Sequence, residues 1–202
     1  MHKRIFLTGP AGCGKSRLIR EALGGRLAMV GGFMTGPVHG PDGYAKGYAL
    51  RPAAACAGVE GLACPVFLDA GVWPPVRDNE VFRVYGTRLL REALWYPCAV
   101  LDELGGFELL IPQFRAALEE LLGSGLPLLG TVKTAEDAEA WRQLFGLGER
   151  FTQHAAQFRA MLSADENTLI LDLSCCSEAD ARRALGDWAD AFIGNPPGGL
   201  AK

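Results

Sequence analysis

The 202-residue sequence predicts a three-layer α/β domain: a mostly parallel sheet with helices on both faces and one antiparallel hairpin added to it. Three observations carry that expectation. Short, β-rich apolar runs alternate with segments whose apolar residues recur at helical spacing, the order that builds parallel strands joined by crossover helices. A glycine-rich stretch, Gly9 to Ser16, lies between the first such run and the first such helix. Two extended runs flank Gly40-Pro41-Asp42-Gly43, where the glycine supplies the positive φ that a hairpin turn requires.

Arg4 to Thr8 (RIFLT) is the first strand, and Lys15 to Leu23 a helix ended by Gly24-Gly25. A short apolar segment, Leu27 to Val30, is followed by a break at Gly31-Gly32. Phe33 to Val38 and Tyr44 to Leu50 form the hairpin. Residues 52–78 are rich in Ala, Gly, Pro and Cys without clear period; they read as loop or sheet edge, with a strand at Pro65 to Leu68. Glu80 to Leu94 has helical spacing, although Gly86 stands in its middle, where glycine costs helix stability. Cys98 to Leu101 is a buried strand that delivers Asp102-Glu103. Ile111 to Leu122 is a helix with Pro112 in its first turn, a position where proline's missing N–H costs nothing. Leu126 to Val132 and Thr168 to Leu173 are further strands, and Ala135 to Phe145, His154 to Leu162 and Glu178 to Ile193 further helices.

Residues 1–193 are expected to form one domain, because a chain of this length with 49% hydrophobic residues can bury one sizeable core; residues 194–202, rich in Gly and Pro, read as a flexible tail. With 20 Lys and Arg against 23 Asp and Glu, the charge offers no footprint for nucleic acid or for an anionic membrane surface. No apolar run reaches the roughly 18 residues of a membrane span. The six cysteines have no zinc-type spacing, which favours reduced thiols and a cytoplasmic location. A monomer acting on a small molecule is the expectation.

The chemistry centres on G-x-x-x-x-G-K-[ST], here Gly9-Pro10-Ala11-Gly12-Cys13-Gly14-Lys15-Ser16. Small residues let successive main-chain N–H groups turn toward one phosphate, and the helix that follows points its positive end there. Lys15 reaches the β and γ phosphates of a nucleoside triphosphate, Ser16 offers its hydroxyl to Mg²⁺, and Arg17 in the same turn is grouped with the phosphate-binding residues. The strand Ala99-Val100-Leu101 carries Asp102 to its C-terminal end, where ligands gather in open α/β sheets. Asp102 suits the Mg²⁺ shell, and Glu103 suits orienting or deprotonating an attacking water. Arg77, Arg83, Arg88 and Arg91 precede this strand, and spacing does not choose among them as a charge-neutralising arginine. Lys133, at the end of a later strand, is placed near the base or the phosphates. His39, His154 and the four tryptophans carry no pattern that selects them.

On four stretches the chain resembles the small nucleoside-triphosphatase family that includes cancer-related nucleoside-triphosphatase and its thermophilic bacterial and archaeal relatives. These are Gly9 to Ser16; Gly32-Phe33-Met34-Thr35 with Gly43 to Leu50, like the family's G-F-x-T hairpin; Leu101 to Glu108, like its D-E-[IL]-G-x-x-E; and Leu126 to Lys133. Phe151 to Leu162 is similar to a degenerate form of a late polar segment, and Gly106 stands where many relatives carry Lys. The resemblance implies a RecA-like P-loop fold and slow, Mg²⁺-dependent hydrolysis of ATP, GTP and other nucleoside triphosphates, with phosphate binding at Gly9 to Ser16 and the carboxylate pair at Asp102 and Glu103. Two other uses of such a loop are a nucleotide or small-molecule kinase, with an acceptor pocket formed by residues 52–78, and a nucleotide-dependent switch whose slow hydrolysis times its binding to a partner.

Overall fold

The structure is a computed structural model and describes residues 1–58 and 63–194. The strands are β1 (Arg4–Thr8), β2 (Gly31–His39), β3 (Ala45–Pro52), β4 (Val66–Asp69), β5 (Val76–Arg77), β6 (Ala99–Leu104), β7 (Leu128–Val132) and β8 (Thr168–Asp172). They form one eight-stranded sheet in the order β5-β4-β3-β2-β6-β7-β1-β8. From β2 to β8 the pairs are parallel, and from β2 outward to β5 they are antiparallel.

Side chains alternate across a strand, and β1 divides its own between two cores. Ile5 and Leu7 face α1 (Lys15–Leu23) and α6 (Glu178–Phe192), where Leu18, Ile19, Leu185 and Trp188 are buried with them. Phe6 faces the opposite layer, with α2 (Thr87–Ala93), α3 (Pro112–Gly123) and α5 (Glu149–Ala164). Helices thus cover both faces, and the three-layer α/β arrangement with a mostly parallel sheet is the observed one.

The differences from the sequence-based expectations have identifiable packing causes. Gly31-Gly32 is not a break; it opens β2. A Cβ on Gly31 would lie 2.6 Å from Ala93 Cα, and one on Gly32, whose φ is +84°, would lie 2.2 Å from Val100 O. Close approach of neighbouring backbone, not chain reversal, requires these glycines. Leu27 falls in a 3₁₀ turn over Gly24–Met29. Residues 52–78 fold further than expected: beyond a turn at Ala53–Ala57, β4 and β5 extend the hairpin into the sheet's antiparallel edge. Residues 59–62 of that stretch lie outside the described ones.

Helix α2 is entered through a π-helical turn at Val81–Gly86, and Gly86 is a packing site there, since a Cβ would meet the Phe82 and Phe114 rings, each at 3.1 Å. α5 starts at Glu149 rather than near His154, because Phe151, Ala155, Phe158 and Leu162 repeat on its buried side. α4 (Ala135–Leu144) and α6 have side-chain N-caps, Thr134 and Ser177. The tail expected over residues 194–202 lies, beyond Gly194, outside the described residues.

Candidate active site

The loop between β1 and α1 turns through three positive-φ glycines, Gly9 (134°), Gly12 (77°) and Gly14 (93°), conformations that other residues adopt only at a cost. Gly14 is the N-cap of α1 and supplies no side chain, so the helix's first-turn N–H groups have no side-chain cap. They remain available to an anion. Lys15 is buried, and its Nζ donates to Gly9 O at 2.7 Å and Pro10 O at 2.9 Å, with Cys13 Sγ 3.7 Å away. Its ammonium group therefore already sits inside the loop. Arg17 lies outside, bonded to Glu21 and Glu178, and its guanidinium passes over Gly14.

Opposite the loop, β6 delivers Asp102, which is fully buried. One carboxylate oxygen accepts from Ser16 Oγ and Thr131 Oγ1, each at 2.8 Å. The other accepts from Thr35 N and Thr35 Oγ1, each at 3.2 Å. Four donors thus come from α1, β7 and β2, and they compensate much of the desolvation that a buried carboxylate suffers. Burial, then the neighbouring Glu103 charge, still pushes its pKa upward against these bonds.

Glu103 follows with φ +66°, the single non-glycine positive φ among the described residues. Such a conformation in a glutamate stores about 1 kcal/mol or more. Its N–H donates to Thr131 Oγ1 at 2.7 Å, so Thr131 ties both acids to β7. The Glu103 carboxylate pairs with Lys133, which is nearly buried and whose Nζ lies 4.3 Å from the centre of the Trp141 ring. Glu108, buried in the turn that follows, accepts from Gly105 N and Gly106 N, both at 2.8 Å. Burial raises its pKa to about 7, against the pull of those amides and of Lys133.

The loop, Glu103 and Glu108 line one cleft of about 550 Å³. It takes in Ala11, Gly12, Gly14, Lys15 and Ser16 on one wall and Glu103, Thr131 and Lys133 on the other. Lys133 is drawn to Glu103 and Trp141. Of the four arginines before β6, Arg83 and Arg88 pair with Glu80 and Glu92 on the surface, and Arg91 is exposed. Arg77 alone approaches the cleft, over Phe107 and Phe145. The sequence alone assigns no role to Thr35, Thr131 and Glu108, although all three stand inside stretches that carry the resemblance. The contacts of Thr35 and Thr131 to Asp102 exist only once β2, β6 and β7 are adjacent, whereas Glu108 holds the Gly105-Gly106 turn within its own segment.

A family profile described as NTPase matches residues 4–152, from the start of β1 into α5. The chain belongs to this NTPase family. Two curated relatives agree with that membership. The nucleoside-triphosphatase THEP1 of Methanosarcina acetivorans is 30% identical over 138 residues, covering 64% of this chain and 75% of the relative. That of Thermofilum pendens is 32% identical over 154 residues, covering 73% and 82%. The crystal structure of THEP1 from Aquifex aeolicus superposes with a TM-score of 0.59 at 16% identity, covering 94% of this chain and 98% of that one. It shares the NTPase's fold, a P-loop α/β architecture. As an NTPase the chain is an enzyme that acts on nucleotides, and among the described residues no helix is long and apolar enough to cross a membrane.

Proposed function

We propose that residues 1–193 act as one domain that hydrolyses ATP, GTP and other nucleoside triphosphates to the diphosphate and phosphate with the aid of Mg²⁺. The observation that carries this reading is the 2.8 Å bond from Ser16 Oγ to Asp102 Oδ1. It joins the start of α1 to the end of β6, with β7 between their strands in the sheet, so the helix start that carries the uncapped amides and the Lys15 ammonium is tied directly to the acid.

The donor set fits Mg²⁺. Ser16 and Asp102 offer hard oxygen atoms, and among the described residues no cluster of three or more His, Cys, Asp or Glu side chains forms a cage; Mg²⁺ favours sites of this kind, completed by water and substrate phosphate. When bound, Mg²⁺ supplies neutralisation of charge on the β and γ phosphates. The loop amides and Lys15 bind those phosphates, Lys15 exchanging its bonds to Gly9 O and Pro10 O for phosphate oxygens. Thr35 and Thr131 hold the Asp102 carboxylate in a single orientation. Glu103 accepts the proton of the attacking water, and the ion pair with Lys133 holds its carboxylate in place until then.

The test is phosphate release from ATP and GTP with and without Mg²⁺. Lys15→Ala is expected to lose nucleotide binding, and Glu103→Gln to bind nucleotide normally while turnover falls about 10²-fold or more. Full turnover in Glu103→Gln would remove the assignment of the base, and full turnover in Lys15→Ala would remove the site.

A further inference from the structure

Past Glu103 and Lys133 the cleft continues into a chamber walled by Phe67, Phe82, Phe107, Trp141 and Phe145. This end is far from where the nucleoside of a loop-bound triphosphate belongs. Such a loop cradles the α and β phosphates at the helix start and directs the γ end to the lysine and the strand-end acid. The nucleoside therefore leaves over Arg17, whose bond to Glu178 at the start of α6 places it on the β8 side of β1. The chamber opens on the opposite side, toward β6 and the antiparallel edge.

Its walls have a definite chemistry. Phe107 and Trp141 stack at 22° with centroids 5.8 Å apart, and Phe145 lies 5.3 Å from Trp141. Trp141 and Phe145 remain partly exposed, so aromatic faces are left to water where a ligand would cover them. Three carboxylates, Glu103, Glu108 and Asp137, line the same cleft. Glu103 is taken by Lys133, and Glu108 turns its carboxyl to the Gly105 and Gly106 amides. The Arg77 guanidinium lies 5.4 Å from the centroids of both Phe107 and Phe145, half-buried and without a carboxylate partner among the described residues. Burial alone lowers its pKa. A partly desolvated cation over aromatic rings, in no ion pair among the described residues, leaves a charge for a ligand to meet.

We propose that this chamber is a second binding site, distinct from the phosphate loop, for a flat aromatic or heteroaromatic molecule bearing an anionic group, stacked on Trp141 and Phe145 and charge-paired with Arg77. Its position beside the γ phosphate rests on the nucleotide reading above, whereas its existence does not. A molecule there meets the Glu103–Lys133 pair and excludes water from the γ side of the cleft.

Naphthalene-2-sulfonate, titrated calorimetrically into the full chain, is the probe. Saturable binding is expected at about tenfold higher affinity than cyclohexanesulfonate, which lacks the ring, or 2-naphthalenemethanol, which lacks the charge. Arg77→Gln should weaken the sulfonate about tenfold and leave the alcohol unchanged; Trp141→Leu should weaken both. Lys15→Ala should lose nucleotide and keep the probe, which separates failure of the hydrolase reading from failure of this one. Absence of saturable binding, wild-type affinity in Arg77→Gln, or displacement of the probe by ATP would overturn the second site, the last by making the chamber part of the nucleotide's own pocket.

Discussion

Replacing Glu108 by Gln isolates one buried proton. The side chain is 2% exposed and holds the Gly105-Gly106 turn through two amide bonds to one oxygen, an acceptor that glutamine keeps. The ordinary glutamate value of 4.5 is raised to about 7, which at about 1.4 kcal/mol for each tenfold change corresponds to roughly 3 kcal/mol. The sign follows from which state binds the proton more tightly. Folding favours the protonated acid, so this stability is fully present below about pH 4.5 and is lost as pH rises through about 7, where the carboxylate must ionise in place. Urea unfolding of both proteins from about pH 4.5 to about pH 8 should show the parent losing roughly 3 kcal/mol relative to Glu108→Gln over that window. A gap that stays constant would refute the reasoning. One that moves in the parent's favour with rising pH would show that the Lys133 charge, rather than burial, governs Glu108.

Thr131→Val, nearly isosteric, removes the hydroxyl that donates to Asp102 and accepts from Glu103 N; stability should fall by about 2 kcal/mol and turnover by about 10–100-fold, read by thermal melting and phosphate release, and unchanged turnover would show that Asp102 needs no support from β7. Gly32→Ala must place a methyl group 2.2 Å from Val100 O at a φ of +84° and should cost more than about 3 kcal/mol. Gly25→Ala, which meets nothing within 4 Å, should stay within about 1 kcal/mol of the parent. Equal melting temperatures for these two glycine variants would contradict the β2–β6 packing.

Much of the architecture was legible because its signals are local. β1, the glycine loop and α1 are coded by consecutive residues, an apolar run followed by glycines and a helical repeat, and the observed bounds Arg4–Thr8 and Lys15–Leu23 are those expected. Pro112 marks a helix start by chemistry that acts within one turn. The expectations that failed depend on distant chain. Gly31-Gly32 resembles a break in any local window, yet these glycines exist for Ala93 and Val100. β5 is only two residues long, too short for periodicity, and forms because β4 offers it an edge.

The sequence by itself determined that this protein is an α/β P-loop protein with a glycine loop ahead of its first helix and an acid pair at a strand end, because glycine spacing, strand-to-helix order and the Asp102-Glu103 step are properties of neighbours in the chain. Only the tertiary structure decided what surrounds those groups. Sheet order brings Thr35, Thr131 and Ser16 onto one buried carboxylate, pairs Lys133 with Glu103, and sets Arg77 over a bank of aromatic rings. Those contacts join residues far apart in the chain, and desolvation and hydrogen bonding act through space, so no pattern along the chain encodes them.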